Sequence, residues 1–152
     1  ERRLEIMKDS HIGTYGTLAI GLSLLLRGVL LTALISGGAY VAGLVMAAMM
    51  SRASMVGLLA FLPNARTNGL SRSYGQPSSA VVLLACLLCL AAALALMPAI
   101  ATSIFFVTLA AAIGCGLIAK SKIGGQTGDV LGATQQVTEI VVLATLLIEL
   151  SV

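Results

Sequence analysis

The sequence predicts an all-α, polytopic membrane protein with about five transmembrane helices and its N-terminal segment on the cytoplasmic side. Three observations predict it. Of the 152 residues 59% are apolar, and with glycine counted in and tyrosine out the share is about 68%, against about 45–50% in soluble domains. Charged residues make up 10%, against about 25%. The apolar residues fall into runs of about 20, the length that crosses a bilayer as a helix. Together these exclude a disordered chain, which would be polar and charged, and an ordinary soluble domain. Of three cysteines, two lie inside an apolar run, so no disulfide framework is implied.

The chain opens Glu1-Arg2-Arg3-Leu4-Glu5-Ile6-Met7-Lys8-Asp9, charged, helix-prone and capless, as if from the middle of a helix. It has no apolar core of the signal-peptide kind, and the chain is expected to be the C-terminal part of something longer. The first span is expected over Thr17–Ile35 and the second over Ala39–Leu62, with Gly37-Gly38 between them. The third, Ser79–Met97, is divided from the fourth, Ala99–Ala119, by Met97-Pro98-Ala99. The last covers Val130–Leu150. The third and fourth carry no charge, and runs such as Val81–Leu96 lack the period-two alternation of a barrel strand. One transmembrane domain, 1–152, is expected.

Orientation follows from charge. Arg2, Arg3 and Lys8 precede the first span, Arg66 and Arg72 lie in the loop Pro63–Ser78, and Lys120 and Lys122 precede the last span. With five alternating spans these fall on one face, which the positive-inside rule makes cytoplasmic.

The same face holds most of the chemistry. Its polar, glycine-bearing stretches are 8–16 (Lys-Asp-Ser-His-Ile-Gly-Thr-Tyr-Gly), 63–71 (Pro-Asn-Ala-Arg-Thr-Asn-Gly-Leu-Ser) and 124–129 (Gly-Gly-Gln-Thr-Gly-Asp). Glycine lets backbone approach a ligand closely, and free N–H groups at a helix start favour an anion. Asp9 and Asp129 are the only aspartates, each at the edge of a span. Such hard oxygen donors suit Mg²⁺, which often takes one or two carboxylates together with substrate phosphates. A plainer reading stands beside this: Asp129 as the N-cap of the last helix, Asp9-Ser10 as a helix end, and Gly-Gly as turn chemistry.

Arg27, Arg52 and Glu139 lie inside the spans, each about ten residues from the cytoplasmic end, or roughly 15 Å at 1.5 Å per residue. A charge near the midplane costs about 2.5–3.5 kcal/mol and normally faces a partner or a wet cavity. Equal depth allows a shared cluster whose positive surplus suits phosphates; the plainer alternative is an Arg–Glu pair that serves packing. Asp129, Gln136 and Glu139 form a polar stripe along one face of the last helix. His11, the only histidine, reads as a solvated loop residue, and Cys86 with Cys89 as small side chains in lipid rather than a metal or redox pair. No basic patch interleaved with aromatics exists, so nucleic acid is not an expected partner.

The stretch Arg3-Leu4-Glu5-Ile6-Met7-Lys8-Asp9-Ser10 followed by Gly13 and Gly16, with 124–133 (Gly-Gly-Gln-Thr-Gly-Asp-Val-Leu-Gly-Ala), resembles the cobalamin synthase family, the adenosylcobinamide-GDP ribazoletransferases. Ser51-Arg52 and Ala65-Arg66 with Asn68-Gly69-Leu70 resemble its middle region more loosely. The resemblance implies an inner-membrane enzyme that joins adenosylcobinamide-GDP to α-ribazole or its 5′-phosphate, releases GMP and requires Mg²⁺. It implies Asp9 and Asp129 at the metal and phosphate site as catalytic and metal-binding carboxylates. By the same resemblance Ser10, Arg27, Arg52, Arg66, Gln126, Thr127 and Glu139 contact substrate. It also implies an upstream acidic motif of the form DGxxDxxDG, which this chain would follow. The sequence leaves room for a homo-oligomer. Competing readings are another membrane nucleotide-alcohol phosphotransferase, a transporter fragment and a structural membrane subunit.

Overall fold

Lipid offers a backbone no hydrogen-bond partners, so an apolar run that crosses it must close its own. The structure is a computed structural model that describes residues 2–9, 11–38, 40–66 and 75–150. A short helix α1 (Arg2–Ile6) precedes α2 (Thr14–Ser36), α3 (Tyr40–Phe61), α4 (Ser79–Leu96), α5 (Ala101–Ile123) and α6 (Gly128–Leu150). The five long helices are long and apolar enough to cross a membrane, and no strand forms among the described residues.

All five expected spans are present, with ends moved by local chemistry. α5 runs on past Ala119 to Ile123, so Lys120 and Lys122 lie in its last turn, where cations meet the negative end of the helix dipole. Gly124 stops it in the left-handed region (φ 78°), its N–H donating to the Lys120 carbonyl at 3.0 Å. α4 ends at Leu96, the Met97 N–H closing on the Ala93 carbonyl at 2.8 Å, because Pro98 cannot continue a helix.

α3 and α6 form the centre and pack most extensively on each other; α2 lies against α6, α4 against α3, and α5 against both. The main core joins Leu34 of α2, Met46 and Met50 of α3, Cys89 and Ala93 of α4, Ile104 of α5 and Leu143 and Leu146 of α6. It occupies the half of the bundle remote from the polar stretches. A smaller cluster of Leu58, Ala112 and Leu131 lies towards them. Small residues set the spacing: a Cβ on Gly43 would already stand 3.4 Å from the Cδ1 atoms of Leu34 and Leu146. The buried hydroxyls of Ser51, Ser54 and Thr134 donate to carbonyls of their own helices. Outward, large apolar side chains such as Leu25, Phe106 and Leu117 stand exposed. Water would penalise that surface, and lipid accepts it.

Candidate functional site

The second and third polar stretches meet at one end of the bundle, beside α1 and around Arg66. Leaving α3 at Phe61, the chain pairs in parallel with the α5–α6 connection through a bridge between Asn64 and Gln126. The Gln126 N–H donates to the Pro63 carbonyl at 2.8 Å, the Ala65 N–H to the Gln126 carbonyl at 2.9 Å, and Gln126 Nε2 to Asn64 Oδ1. Gly125 permits this contact, because a Cβ there would stand 2.2 Å from the Pro63 oxygen. Arg66 follows directly. Its Nη1 lies 3.6 Å from Asp129 Oδ2, and its Nη2 donates to the Leu4 carbonyl at 3.3 Å. Arg3 completes the ring by donating to the Lys122 carbonyl at 2.8 Å, which answers one of the orphan acceptors at the end of α5.

The stretch 124–129 divides its labour. Thr127, not Asp129, caps α6: its Oγ1 accepts the Val130 N–H at 3.3 Å, the N-cap to N3 bond that a helix start calls for. Asp129, in the first turn of α6, is thereby left to face Arg66 with its side chain 60% exposed. Gln126 and Thr127 are buried, and Gln126 Oε1 has no hydrogen-bond partner among the described residues. Asp9 is exposed and turned on its own loop. The His11 N–H donates to its Oδ1 at 3.0 Å, with His11 Nδ1 2.6 Å from the same oxygen. The backbone bond first, and the ring second, hold the Asp9 carboxyl below its ordinary value. Among the described residues no three His, Cys, Asp or Glu side chains gather as a metal cage. Ser10 lies outside the described residues, as do Asn68, Gly69, Leu70 and Arg72 of the 63–78 loop.

Deeper in the bundle the polar stripe of α6 meets α2. Arg27 donates through Nη2 to Gln136 Oε1, and the same nitrogen lies 3.6 Å from Glu139 Oε2, the two charged side chains only 19% and 23% exposed. Arg52 does not join them. It is exposed on α3 and donates to the Ala48 carbonyl of its own helix at 2.9 Å. Equal depth was legible in the spacing, but the rotation of α3 about its axis was not. Sequence reasoning left Asn64 and Arg3 without a role. The signal for Asn64 was its place in a polar glycine-bearing loop; nothing in the sequence indicates that Arg3 reaches the end of α5.

The chain was then compared with known proteins. The sequence model of a family described as cobalamin-5-phosphate synthase matches residues 1–147. A protein of Azorhizobium caulinodans named adenosylcobinamide-GDP ribazoletransferase is 43% identical over 97% of this chain and 58% of its own length. Similar proteins of the same name in Rhizobium meliloti and Bradyrhizobium diazoefficiens are 42% and 40% identical, over 96% and 94% of this chain and 59% and 55% of theirs. The chain thus spans somewhat more than half the length of the curated relatives it matches. No solved structure matches it significantly.

Proposed function

The chain belongs to the cobalamin-5-phosphate synthase family, and from that premise we infer that it acts in joining adenosylcobinamide-GDP to α-ribazole or its 5′-phosphate, with release of GMP. The observation that carries this reading is the meeting of the 63–66 and 124–129 segments with α1 around Arg66. A diphosphate substrate needs cations and backbone donors converging from several directions. One end of this bundle supplies both.

In the proposed reaction a ribazole hydroxyl attacks, in line, the phosphorus linked to cobinamide, and GMP leaves with the bridging oxygen. Transfer of this kind is mostly positioning and charge stabilisation. Arg66, joined to Leu4 and Asp129, holds a fixed guanidinium where the phosphate oxygens would lie, and its fork suits them better than an ammonium. The buried Gln126 and Thr127 fix the connection that presents Asp129, and with Ser10 they complete the expected substrate contacts. Arg27, Gln136 and Glu139 extend the polar path inward.

Mg²⁺ is part of the proposal. Asp9 and Asp129 are exposed carboxylates whose hard oxygens fit one or two ligand positions, with phosphate oxygens taking others. When bound, the ion neutralises the charge of the diphosphate. We place the polar end in the cytoplasm and the spans in the inner membrane, a reading supported by the seven basic residues at or beyond the ends of the spans.

The test supplies adenosylcobinamide-GDP and α-ribazole 5′-phosphate to the protein in its own membranes and measures GMP. Release is expected with Mg²⁺ and lost with chelator, and Arg66→Ala lowers it by about 10²-fold, as for loss of one preorganised charge-stabilising donor. Absence of GMP release from the unaltered protein would reject the ribazoletransferase reading. Uptake of substrate into vesicles in its place would favour a transporter.

A further inference from the structure

The polar half of the bundle is not closed. Between α3, α4 and α5 it contains a cavity of about 410 Å³, walled by residues from Met50 to Leu62, from Val82 to Cys89 and from Phe105 to Lys120. From Thr108 to Lys120 the helix rises roughly 18 Å, about the depth of one leaflet's hydrocarbon. The cavity is therefore a slot that runs from the polar end towards the middle of the spans. Its mouth adjoins the end of α3, from which the chain leads directly to Arg66.

The walls are apolar, with an aromatic ring at Phe105 and sulfur at Met50, Cys86 and Cys89, partners that favour a flat aromatic body. Three polar side chains interrupt them. Ser54 donates to its own helix. Lys120, exposed, stands at the mouth. Thr108 lies about 18 Å further in along the helix, one turn short of Phe105; it is 7% exposed, and its Oγ1 has no hydrogen-bond partner among the described residues. Thr134, Thr145 and Ser54 all donate to their own helices, whereas the Thr108 and Thr138 hydroxyls have no partner among the described residues, and of these two only Thr108 lines the slot. A buried hydroxyl without a partner carries a desolvation cost that a ligand acceptor would remove.

We propose that the slot receives the base of the ribazole substrate, Thr108 donating to the bare ring nitrogen and Lys120 pairing with the 5′-phosphate. The inference rests on the ribazoletransferase reading and adds a location to it. A benzimidazole riboside phosphate carries an uncharged aromatic ring system with one bare nitrogen acceptor on its imidazole ring and, across the ribose, an anion, so it offers Thr108 an acceptor and Lys120 a counter-charge. A phospholipid acyl chain would match the walls and Lys120 but offers Thr108 no acceptor. The slot also gives the membrane a task, since the ring system leaves water among apolar side chains while the reacting hydroxyl stays at the polar end.

Equilibrium binding of radiolabelled α-ribazole and α-ribazole 5′-phosphate to the full chain in nanodiscs of zwitterionic lipid tests this. Thr108→Val, which keeps the shape, should weaken both ligands about fivefold, the worth of one hydrogen bond, and Thr108→Ser should restore both. Lys120→Gln should weaken only the phosphate, again about fivefold, so that the two affinities converge. Gly57 lines the slot, and a Cβ there meets nothing within 4 Å. Gly57→Leu should therefore fill the space and abolish binding of both while helix content is retained. Ribazole binding that these variants leave unchanged overturns the slot and leaves the transferase reading intact, and so does a phospholipid that Gly57→Leu expels without altering ribazole affinity. Failure of the unaltered chain to bind either ligand overturns both readings.

Discussion

Gly125 stands where a backbone oxygen occupies the place of a side chain. Gly125→Ala must push Pro63–Ala65 away from Gln126, and with it the paired backbone bonds that fix Arg66. The expected cost is about 1–3 kcal/mol, read as a lower thermal midpoint in detergent. Gly128→Ala, whose Cβ meets nothing within 4 Å, should leave the midpoint unchanged. Asp9 makes a separate prediction at the same scale. Its carboxyl is held below 3.8 by the His11 amide and ring. A depressed carboxylate adds stability to its loop above its unfolded value, and loses it as pH falls through its folded value. In metal-free buffer the Asp9 resonance should therefore titrate below the ordinary carboxylate range, and His11→Ala, which removes the ring but keeps the amide, should raise it only part of the way. The sequence offered both a capping and a ligand reading for 124–129. The structure assigns the cap to Thr127 and leaves Asp129 to Arg66, because an N-cap belongs to the residue just before the first helical one and α6 begins at Gly128.

The helices themselves were the most legible elements, since length and apolarity suffice when the solvent is hydrocarbon. Their ends were less so, because the lysines that the sequence assigns to a loop are good last-turn residues for α5. Least legible was rotation. α3 is apolar around most of its circumference, so no stripe indicates which face looks inward, and Arg52 emerges on the outside. α6 carries Gln136 and Glu139 one turn apart, and that spacing did foretell a polar face, which α2 meets with Arg27. Removing one partner leaves a charge in mid-bundle. Glu139→Leu should destabilise by about 2.5–3.5 kcal/mol, the order of an unpaired charge at the bilayer centre. Adding Arg27→Met should recover most of it, as measured by chemical denaturation in micelles. If the double variant is stable but makes no GMP, the pair serves the reaction as well as the packing.

At the scale of the whole molecule, the meeting of the second and third polar stretches at one end was the part of the site most readable beforehand. Charge distribution reports membrane sidedness directly, whereas individual contacts such as Arg3 with the Lys122 carbonyl depend on how the helices tilt and turn. Sidedness is open to a direct measurement. In a cysteine-free background, an impermeant maleimide applied to intact spheroplasts should label Ser36→Cys and spare Lys8→Cys and Lys122→Cys, all at exposed positions; opened membranes should label all of them.

The main core binds α2, α3, α4, α5 and α6 together away from the polar end, and the slot starts at its edge, at Met50 and Cys89, and opens towards the polar end. Stiffness should follow the same gradient: backbone amides at the remote ends of α4 and α5 should exchange with solvent deuterium slowest, and those at their near ends fastest.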